Sequence, residues 1–557
     1  MNEHNPASVM AQMIIAAENH TDEMQKDRLK ATEYYNGELK DVPSDEGRSS
    51  VTSRDVRDEI KKVLPSVMRT LLGSDVVGEY QPAREGDEGF AKQATDYINR
   101  VVAPEVDLRR HVESAAHDAL LLRNGILRWS WDEKREALVS SHTGLEEEAF
   151  SILVGAPEVE LLGHSERVEI VSTPEGEFPL TVHDVDIRRY HVEMGVKVSA
   201  VPRERFLIHP DAVNIEDSLV TGERMQLTRS DLIAMGYDYD VVMGLAQAND
   251  DETEEAERRG DVSDEDAAHK ANELIDYYDV FIRFDADEDG IAELRHVCFA
   301  GGLSENNLLH DEHADHVQFC DLKPMTRPHQ WEGISVYDDL ADIQRIKTVL
   351  LRQTMDNLYW QNNPMLAVQD GALKDESGVY EPEFGKVIRL NAGRNVNEAI
   401  QAIQIPFVAG ESFGMLEYLD RMAQDRTGIS DASSGLDPDA LQNMTATASA
   451  MMNQAGIGQT ELMVKTLAEG IKSLYRGLLR LIVKHQDIPR TTRLNNEWVQ
   501  FDPRQWNAEM DVTINVGLGA GTRERDMQVM QFVMAMQEKL IAAFGDDNPF
   551  VKPENLW

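Results

Sequence analysis

The sequence predicts an α+β fold. Three features point to it: a long helix-period stretch near the middle of the chain, a longer one nearer its end, and strand-like segments bounded by glycine and proline around both. The central stretch, GISVYDDLADIQRIKTVLLRQTMDNLYWQNNP at 333–364, is the element the others are arranged around. Val336, Leu340, Ile343, Leu350 and Leu358 recur at helical period. Ser335 followed by Asp338 has the form of a capping box and marks the start. Asn362-Asn363-Pro364 marks the stop, because the residue before proline is pushed out of the α region. A helix over 335–361 would be about 40 Å long. Asp338, Asp342, Arg345, Arg352 and Asp356 form a second, charged stripe. The stripes fit a strut with one face on a neighbour and the other on a wet space; they also fit a long surface helix of an ordinary globular domain.

Before the strut, residues 7–39 read as a helix and 43–47 as a loop. A helix from 53 to 72 carries Val56, Ile60, Val63, Val67 and Leu71 on one face, with Pro65 a source of a kink. Residues 75–82 are extended, and helices at 88–102 and 105–123 are split by Pro104. GILRWSWD (125–132) is a strand, and 139–207 holds short strands broken by Gly and Pro. Residues 228–247 are helical. DYYDVFIRF and AELRHVCFA flank DADEDG as a β-hairpin. The segment 249–270, NDDETEEAERRGDVSDEDAAHK, is too acidic and too poor in apolar residues to order itself, and reads as a mobile surface insert.

After the strut, MLAV, KVIRL and AIQAIQIPFV make 365–411 a small β unit. FGMLEYLDRMAQDRTG (413–428) is a second helix, followed by the polar loop ISDASSGLDPDALQNMTATA. A third helix runs from about 447 to 486, MDVTINV (510–516) is a strand, and 523–543 is a last helix.

The net charge is −45, from 55 basic and 100 acidic residues. That argues against a sequence-specific nucleic-acid binder, which normally carries a basic stripe. It does not exclude a passage along which nucleic acid slides, since a wall of like charge repels phosphate over about 8–10 Å. On charge alone, the plain solubility of a large acidic protein is the better explanation. Cys298 and Cys320 allow at most one bridge, which fits a reducing compartment. The N-terminus lacks the basic and apolar regions of a secretory signal. No apolar run reaches the about 18 residues a membrane span needs.

The order helix, small β insert, helix, polar loop, long helix resembles the stem, clip, stem, tunnel loop and crown-side helix of tailed-phage portal proteins. The wording of 333–364 is similar to the short-tailed-phage (podovirus) branch. The resemblance implies a portal-type fold: an α/β wing over 1–330, a stem helix at 331–364, a β-rich clip at 365–411, a second stem helix at 412–428, a tunnel loop at 429–446, and a crown-side segment at 447–557. It implies a dodecameric homo-oligomeric ring at one capsid vertex, assembled in the host cytoplasm, through which a separate terminase drives duplex DNA. Terminase large subunit, major capsid and scaffolding proteins and tail adaptors are the implied partners, with no membrane, no cofactor and no bond chemistry. Portal proteins usually continue further than Trp557, which leaves room for a further C-terminal segment. A metal-dependent enzyme built on 139–330, and another tail or ejection component, remain open alternatives.

On this reading Ser430, Asp431, Ser433, Ser434, Asp437, Gln442 and Asn443 line the channel, with carboxylates that repel phosphate and polar groups that exchange contacts. Gly428 and Gly435 supply hinge conformations. Lys374, Lys386, Arg389 and Arg394 make the clip locally basic, for sequence-independent phosphate contacts or as a solvated β surface. Asp285, Asp287 and Asp289 with Gly290 form half a calcium loop, but the position for the bidentate Glu is His296; a polar hairpin tip fits better. His310, His313 and His316, with His296 and His329, offer zinc ligands in what reads as a solvated loop. Gly517, Gly519 and Gly521 follow a strand as in a dinucleotide loop, but no β-α-β unit follows, and a tight turn suffices. There is no P-loop and no nucleophile elbow. Met444, Met451, Met452 and Met463 fit either a helical core or an adaptable contact surface.

Overall fold

The computed structural model describes residues 5–156, 158–173, 176–248, 270–374, 387–393, 395–403, 405–407, 410–429, 446–494 and 497–515. Within them the chain is a mixture of helix and sheet, as its patterning predicts. The acidic insert, the polar loop at 430–445, the Gly517–Gly521 turn and the last helix lie outside the described residues.

The main core is built around the long helix Ala446–His485. Leu467, Ile471, Leu474, Leu478 and Ile482 are fully buried on it. They pack with Asp55–Leu72, Leu108–Leu122 and the first turns of the strut, Val336–Asn362. Two glycines allow the close approach: a Cβ at Gly470 would lie 2.2 Å from the Asp321 carbonyl oxygen, and one at Gly477 would lie 2.2 Å from the Trp129 ring. Strand Gly78–Gln81 pairs antiparallel with Asp511–Ile514, so segments far apart in sequence close one unit. Buried Asn99 ties it: its Oδ1 accepts the Val77 and Gly78 N–H groups at 2.9 and 3.2 Å, and its Nδ2 donates to the Gly78 carbonyl at 2.8 Å.

Two antiparallel sheets form the rest of the first 330 residues. One has the order Phe319–Leu322, Gly125–Glu146, Gly176–Val201, Val159–Thr173. The other runs Phe206–Ile208, Val220–Thr228, Leu274–Phe284, Glu293–Ala300, Leu308–His313, with the N-terminal helix Pro6–Glu23 packed on it. The hairpin at 274–300 is as the sequence predicts.

Several expectations are corrected. The strands over 125–201 are long, not short: Gly195 pairs in register with Asp132, and Gly144 and Gly163 sit at irregularities in the ladder instead of ending it. Gly144 (φ 75°) lies in the register shift between His142 and Leu145, and another shift separates Leu161 from Gly163. The first helix breaks at Met24, giving Pro6–Glu23 and Gln25–Asn36. The break in 88–123 falls at left-handed Asp107 (φ 49°); Pro104 lies before it, after a π-helical turn at Ile98–Val102. Residues 228–247 split into Arg229–Ala234 and Tyr239–Gly244 around Gly236 (φ 97°). Leu308–His313 is an edge strand, not a solvated loop.

Candidate ring-forming surface

The strut begins where its capping signal says. The Ser335 hydroxyl accepts the Asp338 N–H at 3.2 Å, and the Asp338 carboxylate accepts the Ser335 N–H at 3.0 Å. Arg123 grips the same carboxylate, with Nη2 2.9 Å from Oδ1. Burial pushes the Asp338 carboxyl up, but the hydrogen bonds from Arg123 and Ser335 outweigh it and hold it below the usual range. The helix ends at Asn363, before Pro364.

The first half of the strut is enclosed. Val336, Leu340 and Ile343 are buried. Gln344 is buried with them: its Oε1 accepts the Val56 N–H at 2.9 Å and its Nε2 donates to the Tyr34 carbonyl at 2.9 Å. The charged stripe faces water only in part: Asp342 and Arg345 are exposed, but its far end is engaged. Arg352 donates to the carbonyls of Val42 and Val51, and Asp356 accepts the Ser49 N–H at 2.7 Å, so the stripe holds the loop before Asp55–Leu72.

The second helix, Gly410–Thr427, packs on the strut through Leu419 and Ala423. Lys347 bridges to Asp420 at 2.6 Å and also pairs with Asp55, and Arg426 meets Asp342 at 2.7 Å. Burial pulls the Lys347 pKa down, but its bonds to Asp420 and Asp55 carry it above the ordinary value.

The far end of the helix pair is different. Met355, Leu358, Tyr359 and Trp360 on the strut are exposed, and so are Phe413, Met415 and Tyr418 on the second helix. Between the helices, Met365–Val368 pairs antiparallel with Ile400–Ile403. This ribbon is almost wholly exposed, whereas an isolated two-stranded ribbon is marginal in water. Among the described residues, this end of the helix pair therefore presents several exposed apolar side chains.

The basic candidates divide. Lys374 and Arg389 are exposed neighbours across the Leu373–Leu390 bridge, with the Lys374 N–H donating to the Arg389 carbonyl at 3.0 Å. Lys386 and Arg394 lie outside the described residues, as do Ser430, Asp431, Ser433, Ser434, Asp437, Gln442 and Asn443.

The cation candidates have their own explanations. Asp285 accepts the N–H groups of Asp289 and Gly290 at 3.1 and 2.8 Å, and Asp289 accepts that of Ile291 at 2.7 Å, so these carboxylates cap the turn. Of the histidines, His296 and His310 come together with Glu312. His313 pairs across from Arg295, His316 is half-buried near Arg480 and Lys484, and His329 sits in a left-handed turn. His296 meets Asp279 at 2.8 Å, and Asp279 and Glu223 hold the half-buried Arg128 between the two sheets. Burial lowers the His296 pKa, but its bonds to Asp279 and Cys298 push it up to about 11. The Nε2 of His296 is thus already engaged by Asp279.

A family model, that of the phage SU10 portal protein, matches residues 7–557. The chain belongs to this portal family. No curated relative matches the sequence. It is a podoviral-type tailed-phage portal protein, a virion component of viral DNA packaging, from a family that is structural rather than enzymatic. Membership implies an oligomeric ring with capsid and terminase partners at a capsid vertex. The portal match takes in both helices, the ribbon between them and the sheets before them. Neither Gln344 nor the Lys347–Asp420 bridge was legible beforehand, since nothing local marks a partner that is distant along the chain.

Proposed function

We propose that the chain closes into a dodecameric ring at one capsid vertex, whose axis is the passage for DNA during packaging and ejection. The exposed apolar end shared by Val336–Asn362 and Gly410–Thr427 carries this reading, because a heterologous ring contact covers such a surface on every copy. On this reading residues 365–411 form the narrow external clip, meeting terminase and then tail adaptors, while 1–330 form the outer wing. The loop 429–446 converges on the channel, where Asp431, Asp437 and Asp439 repel phosphate and Ser433, Ser434, Gln442 and Asn443 make exchangeable contacts. Lys374, Lys386, Arg389 and Arg394 meet the DNA backbone without reading sequence.

A cysteine at Ser434 tests the channel. The expected result is that a bulky thiol label blocks DNA packaging while rings persist, and that neighbouring subunits crosslink there. Full packaging with every subunit labelled would overturn the assignment.

A further inference from the structure

The hairpin of Val159–Thr173 and Gly176–Val201 brings two histidines and a glutamate onto one face. Glu166 is directly opposite His183, and His164 is opposite Val185, which puts His164 diagonal to His183. His164 Nε2 lies 2.9 Å from His183 Nδ1. Ligand atoms of His164, Glu166 and His183 all lie within 4.8 Å of one another. On its other edge, His183 Nε2 lies 2.8 Å from Glu147 Oε2. Glu147 opens the helix Glu147–Val154, and Phe150 in that helix stacks on both imidazoles, with ring centroids 4.7 and 4.5 Å away. His183 is buried while His164 and Glu166 are exposed, so the group is backed by an aromatic ring and open to water in front.

The protons can be placed. A carboxylate only accepts, so His183 Nε2 carries the hydrogen toward Glu147, and in the neutral ring Nδ1 presents a lone pair toward His164. A histidine whose second nitrogen donates to a carboxylate is the usual form of a metal-ligating imidazole, with tautomer and ring orientation both fixed.

We propose that this is a zinc-class divalent metal site. His183 Nδ1, His164 Nε2 and the Glu166 carboxylate are the ligands, water takes a fourth position, and Glu147 orients His183. Without metal, His164 Nε2–H donates to His183 Nδ1. Binding moves that hydrogen to His164 Nδ1, so the ring stays neutral. Zinc–nitrogen bonds near 2.0–2.1 Å in a tetrahedron set the two nitrogens about 3.3 Å apart, a small opening that exposed His164 can make. The bound ion ties both strands to the helix that carries Glu147.

The test uses the full chain, stripped with a chelator and titrated with zinc chloride by calorimetry, with cobalt(II) absorption as a second readout. One zinc per chain, bound tighter than about 10 µM, and cobalt d–d bands of a tetrahedral site are expected. His164→Ala changes an exposed side chain, so the fold is retained; it should weaken zinc at least about 100-fold and abolish the cobalt bands. Glu147→Gln keeps all three ligands and should weaken zinc about 10–100-fold with the cobalt bands retained. No zinc binding at all would overturn the proposal. So would unchanged affinity and stoichiometry in His164→Ala, which would place the ion at another cluster.

Discussion

The two halves of the strut share one helix and one period, yet they meet different surroundings. In the first half, Leu340 and Ile343 sit among helices of the same chain, and Gln344 finds a partner for each end of its amide. In the second half, Leu358, Tyr359 and Trp360 continue the helix but stay exposed. Helical periodicity shows that a face is apolar; it does not say whether the cover comes from the same chain or from another copy. On the proposed reading, the first half is what one subunit needs to fold, and the second is what it keeps for assembly.

The sharpest way to break this comparison is to truncate one leucine in each half. Leu340→Ala should lower stability by about 2–5 kcal/mol, read as a shift of the denaturation midpoint. Leu358→Ala should change it by no more than about 0.5 kcal/mol in the unassembled chain. Equal effects would remove the distinction. Next in size, Lys347→Ala leaves the largely buried Asp55 carboxylate with the Ser53 hydroxyl but no cation, and should cost about 1–3 kcal/mol.

The network between the two sheets sharpens the same contrast through pH. His296 has a folded pKa raised to about 11, so its stabilisation is fully present below its unfolded value of about 6.5 and is lost as pH rises toward the folded value. The thermal midpoint should therefore fall across the alkaline range, and His296→Gln should flatten that fall. An identical pH profile in the variant would contradict the role. The smallest effect is at the far end: replacing Lys374, Lys386, Arg389 and Arg394 with Ala should reduce the salt slope of nonspecific DNA binding by about 1 for each phosphate that is no longer neutralised. Equal slopes would count against a role in meeting DNA.

Local signals in the sequence translated well. Ser335, Asp338 and Pro364 bound the strut by rules that act within one turn of helix, and the structure has both capping bonds and the stop. The hairpin at 274–300 followed from alternation around a polar turn. What could not be read depended on distant partners. Gly144 and the Leu161–Gly163 step look like strand ends in one dimension, but a long neighbouring strand carries the ladder past them. Arg352 and Asp356 look like a wet stripe, and only the fold brings Val42, Ser49 and Val51 to them. Of the channel and clip residues named, the described residues include Lys374 and Arg389.

The central claim is that the exposed end of the helix pair belongs to ring assembly. The direct measurement is sedimentation and negative-stain electron microscopy of the wild-type chain beside a variant carrying Tyr359→Ser, Trp360→Ser and Phe413→Ser, with circular dichroism to show that both are folded. Wild type should form rings with a central hole, and the variant should stay a folded monomer with an unchanged spectrum. Rings of the same size from the variant, or folded monomers from the wild type under assembly conditions, would contradict the account.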